Sequence, residues 1–162
     1  MAFLILSAVF LVPYLVIISL FTIGFKRYMS YQYQDVSDLD PVSLSVIIPA
    51  RNEEERISGL LEGLARQAGS EGRFEVIVVD DHSDDRTTNI VGQWIDRNLW
   101  FMCRLITLPN GKTGKKSAIE AGVAAANSDW IVVTDADILP GTEWLLTIRK
   151  AIKTTDAKFL FG

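Results

Sequence analysis

The sequence predicts an α/β fold, a mostly parallel sheet with helices on both faces, preceded by one transmembrane helix. Three observations carry this. From residue 44 onward, β-rich runs alternate with stretches of helical period, the pattern of linked β-α-β units. A charge-free apolar segment stands in front of them. Clusters of polar residues follow the strands, where parallel α/β sheets bind ligands.

The apolar segment comes first. The chain has 162 residues and a net charge of −4, yet every Lys, Arg, Asp and Glu lies after Phe25. As a helix, residues 2–25 would measure about 36 Å, enough to cross a hydrocarbon core of roughly 30 Å. Pro13 would kink such a helix without excluding it. No basic residue precedes the long apolar core, so an uncleaved anchor fits better than a signal peptide. Lys26 and Arg27 follow at once, which by the positive-inside rule leaves the later residues on the cytoplasmic side of the cell membrane. The expected organisation is an anchor over 1–27, a polar tether over 28–42 and an α/β domain over 43–162. The single cysteine, Cys103, rules out an intrachain disulfide and suits a reducing compartment. The acidic balance argues against a nucleic-acid partner.

Leu44–Ile48 is a short β-rich run that ends at Pro49. Glu53–Gln67 has Ile57, Leu60, Leu61 and Leu64 on one helical face, and its opening glutamates suit the positive end of a helix dipole. Ala68–Arg73 reads as a loop. Phe74–Val79 is an almost unbroken apolar strand, as in a sheet buried on both faces. Asp84–Asn98 carries Ile90, Val91, Trp94 and Ile95 at helical spacing. Phe101–Thr107 is a third strand, Leu108–Gly114 a loop, Lys115–Ala126 a small-residue helix and Trp130–Thr134 a fourth strand. Thr142–Lys153 is a further helix, and Ala157–Phe161 begins a fifth strand.

The polar clusters hold the candidate chemistry. Asp135 and Asp137 flank a small residue at a strand end. Two carboxylates converging there would suit Mg²⁺ or Mn²⁺, and a solvated acidic turn is the plain alternative. Asp80 and Asp81 end the second strand. One of Asp81, Ser83 or Asp84 suits a helix N-cap, and a carboxylate at that mouth can also accept from the N–H of a uracil or guanine edge. His82, the only histidine, has no serine or cysteine partner and fits a turn. The basic loop from Asn110 to Lys116 opens a helix, a place that attracts phosphate, or it is an exposed surface loop. It is not a Walker A loop, because Gly111 and Gly114 are too close together. Gly122 and the alanines at 124–126 would let a helix approach the sheet.

In order, these segments resemble the nucleotide-binding half of family-2 glycosyltransferases, which have the Rossmann-like GT-A fold. The matching stretches are Leu44–Glu53, Phe74–Ser83, the segment from Gly114-Lys115 to Gly122, and Asp135-Ala-Asp137. The resemblance implies that Pro49, Arg51 and Glu53 line a nucleotide pocket, and that Asp81, helped by Asp80, holds the base. It implies Lys115 near the donor, Asp135 on the ribose or the metal-bound diphosphate, and Asp137 on the divalent cation. The implied reaction is inverting sugar transfer from a UDP- or GDP-linked donor to an unknown acceptor, in cell-surface polysaccharide or glycolipid synthesis. Glu120 stands where the family often has Asn, so it is expected to point away from a diphosphate. The family's catalytic base and acceptor site would lie beyond Gly162. The expectation is therefore an N-terminal fragment that binds a nucleotide but does not transfer sugar alone.

Two other classes compete. Ile77–Asp81 and Trp130–Asp135 resemble the acidic strands of a phosphoacceptor receiver domain, although a complete strand and helix precede Asp80. A non-enzymatic membrane adaptor would use the α/β domain only as a scaffold, and it predicts no metal-dependent nucleotide binding.

Overall fold

The computed structural model describes residues 2–32, 42–67 and 74–154. The elements are α1 (Ala2–Gln32), β1 (Leu44–Ala50), α2 (Ile57–Ala65), β2 (Phe74–Asp80), α3 (Thr87–Arg97), β3 (Cys103–Thr107), α4 (Lys115–Ala125), β4 (Trp130–Val133) and α5 (Trp144–Thr154). The loop expected at 68–73, the fifth strand at 157–161 and most of the tether lie outside the described residues.

Taken by itself, α1 is a continuous helix through Pro13, and it runs on to Gln32, past the expected start of the tether. Its side chains are described from residue 11 to residue 26. In that stretch, Leu11, Leu15, Leu20, Phe21 and Ile23 are all more than half exposed. Among the described residues, no helix is long and apolar enough to cross a membrane.

The four described strands form one sheet in the order β3-β2-β1-β4, and every pairing is parallel. Parallel crossovers are right-handed. The steps β1→β2 and β2→β3 run in one direction across the sheet, and β3→β4 runs back. Handedness alone therefore puts α2 and α3 on one face and α4 on the other. The packing agrees. Ala118 of α4 packs in a buried cluster with Ile47, Ile77 and Val79. Val46, Ile48, Val76 and Val78, pointing to the opposite face, are fully buried too, as are Ile57, Leu60, Leu61 and Leu64 of α2. Helices on both faces explain why β1 and β2 carry no polar-apolar alternation. Gly122 sets the distance of α4 from the sheet, since a Cβ there would lie 2.4 Å from Ile47 Cγ2.

Several boundaries differ from the sequence expectation. β1 continues through Pro49 to Ala50. The Ile47 carbonyl accepts from Thr134 on the β4 side and the Ala50 carbonyl accepts from Asp81 on the β2 side. Backbone groups alternate sides along a strand, so the nitrogen of Pro49 faces the β4 side. There the β4 pairing has already ended, at Ile47 with Val133. The missing N–H thus removes no ladder bond. α2 begins at Ile57 rather than Glu53, and α3 at Thr87 rather than Asp84, because the residues before them bond between loops. β3 begins at Cys103 rather than Phe101. Phe101 instead makes edge-on ring contacts with Phe74, Trp94 and Trp100 at centroid distances of 5.2–5.5 Å.

A buried charge pins the amino-terminal end of the sheet. Glu75 on β2 is only 4% exposed. Its Oε1 accepts from Ser45 Oγ at 2.6 Å and from the Asn127 N–H at 2.7 Å. Its Oε2 accepts from Arg104 at 2.7 Å and from Asn127 Nδ2 at 3.1 Å. Burial pushes this carboxyl up, but the bonds from Ser45, Asn127 and Arg104 outweigh it and hold the group below the usual carboxylate range. Strands β1, β2 and β3 and the α4–β4 connection meet at this one side chain.

Candidate functional site

The site is built from the loops that follow β1, β2, β3 and β4. The first two are laced together. The Asn52 N–H donates to Ser83 Oγ at 3.0 Å, and the Asp84 N–H returns a bond to Asn52 Oδ1 at 2.8 Å. The Glu53 N–H donates to Thr87 Oγ1 at 2.8 Å, and the Glu54 N–H to Asp85 Oδ2 at 3.0 Å. Arg86 closes the lattice through its backbone and side chain to Glu54 Oε2, at 3.1 and 3.0 Å. Asn52 and His82 hold left-handed backbone, with φ of 56° and 54°, which turns each chain sharply out of its strand. The side-chain hydrogen bond from Arg86 pulls the Glu54 carboxyl below its ordinary range. For Asp85, burial pushes the carboxyl up, and the bonds from Thr87 and Glu54 outweigh it and pull it down.

The expected cap of α3 is not made: its N-cap residue is Arg86, with no side-chain cap bond, and none of Asp81, Ser83 or Asp84 takes that place. Asp85, one residue before the cap, accepts from the Thr87 N–H through Oδ1 at 2.8 Å in a local turn. Asp80 is 2% exposed and turns its carboxylate back on the Ser83 N–H, at 3.3 and 3.4 Å. It shapes the turn.

The end of β2 also holds the loop before α4. The Gly114 N–H donates to Asp81 Oδ2 at 2.8 Å. His82 Nε2 lies 3.1 Å from the Lys112 carbonyl, so a proton on that nitrogen donates to it, and His82 serves the turn. Gly114 has φ 91°, a backbone that favours glycine, and it delivers Lys115 as the first residue of α4.

Between the carboxyl ends of β1 and β4 lies a cleft of about 340 Å³. This is where the direction of the crossovers reverses, the switch point at which open α/β sheets bind ligands. The cleft is lined by Pro49, Arg51 and Glu53 at and after the end of β1, Asp81 after β2, Lys115 at the start of α4, and Asp135 and Asp137 after β4. Asp80 is not among the lining residues. Ala50, Ala118 and Ala136, which carry no chemical signal in the sequence, complete the lining.

The charges in the cleft are unevenly satisfied. The Asp81 side chain is 7% exposed, and Arg51 NH1 approaches its Oδ2 at 3.7 Å. Its other oxygen, Oδ1, is buried and has no hydrogen-bond partner. A buried unpaired acceptor is costly, and a ligand N–H would relieve that cost. Lys115 Nζ donates to Asp135 Oδ1 at 2.6 Å. Asp137 is exposed. Glu120 is also exposed, and its carboxylate lies 3.9 Å from Lys116 Nζ, so it points away from the cleft as expected.

The oxygen-only pair Asp135 and Asp137 fits a hard divalent cation. Among the described residues, no group of three or more His, Cys, Asp or Glu could hold a metal ion. The pair alone therefore leaves most of a six-coordinate shell for water or ligand oxygens.

The sequence profile of glycosyl transferase family 2 matches residues 45–162. The chain belongs to glycosyl transferase family 2. Within the family, it is 36% identical over 123 residues to a probable glycosyltransferase, YdaM, of Bacillus subtilis, covering 72% of this chain and 29% of that one. It is 41% identical over 99 residues to the 4,4'-diaponeurosporenoate glycosyltransferase of Staphylococcus haemolyticus, covering 59% and 24%. Among solved structures, TarS 1–349 of S. aureus superposes with a TM-score of 0.62 at 30% identity, covering 70% of this chain and 33% of that one. The mannosyltransferase PcManGT of Pyrobaculum calidifontis, in complex with GDP-Man and Mn²⁺, superposes with a TM-score of 0.63 at 26% identity, covering 80% and 39%. The fold is thus GT-A-like. The chain spans about a quarter to a third of the length of these two curated relatives.

Proposed function

We propose that the cleft binds the nucleoside-diphosphate part of a UDP- or GDP-linked sugar, as the donor site of an inverting, membrane-anchored glycosyltransferase. The observation that carries this is the convergence of Asp81, Lys115, Asp135 and Asp137 in one cleft at the switch point of a family-2 chain. Asp81 Oδ1 would accept the N–H of a uracil or guanine edge, with Arg51 and Gly114 fixing its other oxygen. Lys115, at the amino-terminal end of α4, would meet the diphosphate. Asp135 and Asp137 would hold Mg²⁺ or Mn²⁺, which when bound neutralises negative charge on a leaving diphosphate. Solved relatives bind such ligands: TarS 1–349 is described with UDP and with UDP-GlcNAc, and PcManGT with GDP-Man and Mn²⁺.

The exposed apolar side chains of α1 and the basic pair that follows Phe25 support a membrane anchor with the α/β domain on the cytoplasmic side. The acceptor, the catalytic base and the product, a polysaccharide or a glycolipid, belong to the activity of the whole protein.

A thermal-shift panel of nucleoside diphosphates, with and without Mn²⁺, tests the site. UDP or GDP should raise the melting temperature more with Mn²⁺ than without, and Asp137→Ala should remove only the Mn²⁺-dependent part. Equal shifts in Asp137→Ala and wild type would sink the metal assignment. No shift with any nucleotide would favour the adaptor reading.

A further inference from the structure

The contact between Lys115 and Asp135 lies in the cleft, at the place assigned to the metal. Lys115 Nζ sits 2.6 Å from Asp135 Oδ1, and the two side chains are 60% and 56% exposed. We propose that Lys115 is a placeholder cation. It neutralises and orients Asp135 until a ligand arrives, and it gives up that oxygen only when a diphosphate offers it a new partner. Metal and nucleotide would then bind with positive coupling through this one side chain. The inference rests on the donor-site reading above and adds an order of events to it.

The coupling is electrostatic. A divalent cation shared by Asp135 and Asp137 would sit within a few ångströms of the ammonium and compete for the same carboxylate. With metal alone, Lys115 must retreat into water and lose its counter-ion. With metal and diphosphate together, the flexible lysine stem lets the ammonium move to phosphate oxygens, so it exchanges one anion for another. The same lysine thus opposes metal binding in the absence of nucleotide and ceases to oppose it in its presence. Exposed pairs are weak, so the effect is modest: about two- to fivefold in metal affinity.

Lys116 supplies the control. It is 91% exposed, carries the same charge, and lies 3.9 Å from Glu120, outside the cleft lining. Free Mn²⁺ would be titrated by electron paramagnetic resonance into the full chain, with and without saturating UDP or GDP. Lys115→Gln should bind Mn²⁺ alone about two- to fivefold more tightly than wild type, with Lys116→Gln near wild type. The nucleotide should raise Mn²⁺ affinity by a larger factor in wild type and Lys115→Arg than in Lys115→Gln. The difference should shrink at high salt. The proposal is overturned if Lys115→Gln and Lys116→Gln behave alike, or if the nucleotide helps Mn²⁺ equally in Lys115→Gln and wild type. Asp137→Ala separates the two levels. If it abolishes Mn²⁺ binding while Lys115→Gln changes nothing, only the placeholder role fails. If no variant binds Mn²⁺ even with nucleotide, the metal site fails and takes the proposal with it.

Discussion

Replacing Glu75 by Gln would test whether one buried charge holds the amino-terminal end of the sheet. The substitution keeps shape and volume and changes only charge and donor count. Glu75 accepts four hydrogen bonds, two on each oxygen. In its best orientation, a glutamine keeps the bonds from Ser45 and the Asn127 N–H. It then turns an amide NH₂ toward Arg104 and Asn127 Nδ2, both donors. Two bonds are lost, one of them to a guanidinium. Hydrogen bonds to charged groups contribute about 1.5–3 kcal/mol and neutral ones about 1 kcal/mol. The Arg104 side chain is 46% exposed and can turn to water, which lowers the cost. The expected loss is about 2–4 kcal/mol at neutral pH. The pH dependence supplies the sign. The Glu75 carboxyl is held below its unfolded value, so its stabilisation is complete above that value and is lost as pH falls through the folded one. Urea denaturation at a series of pH values should therefore show a gap between wild type and Glu75→Gln that is widest at neutral pH and closes in acid. A gap under about 0.5 kcal/mol at neutral pH, or one that does not change in acid, would refute the reasoning.

Two further outcomes can be measured on the same material. Gly122→Ala places a methyl 2.4 Å from the stiff, β-branched Ile47, so overpacking of about 1–3 kcal/mol should exceed the helix propensity gain of about 1 kcal/mol. Chemical denaturation should show net destabilisation, and Ile47→Ala should cost less in the Gly122→Ala background than in wild type. Burial pushes the Cys103 thiol up to about 12, so alkylation at pH 8 should run roughly a thousandfold slower than for an ordinary thiol until the sheet unfolds. Rapid labelling under native conditions would contradict the buried placement.

Much of this molecule is legible in its amino-acid sequence, for physical reasons that differ by element. β1 and β2 stand out because burial on both faces leaves them continuously apolar. The cleft acids stand out because nothing in a core explains charged residues directly after such strands. Lacing between loops is harder to read. Asn52, Ser83, Asp85 and Thr87 are ordinary turn residues in sequence, and only the parallel register of β1 and β2 brings their loops side by side. The same register shortens α2 and α3 at their starts, since residues that resemble first turns bond across to the neighbouring loop. Adjacency suggests a shared role for Asp80 and Asp81, yet successive side chains leave a strand in opposite directions, so only one of them meets the cleft. Glu75 reads as a stray charge in an apolar strand, because its partners Ser45, Arg104 and Asn127 come from three separate segments.

The position of β1 has a consequence for synthesis. It is the first of the four described strands to be made and becomes a central one among them, and its two neighbours arrive at very different times. β2 follows after one short helix. β4, which sets Trp130 opposite Leu44, emerges only after two further helices and the edge strand β3. Until then the β4-facing side of β1 is an open parallel edge, apolar over Val46 to Ile48, on a nascent chain. Pro49, with no N–H to offer on that side, is a natural block to mispairing at its far end. A residue that spares the finished sheet a broken ladder thus also guards the unfinished one.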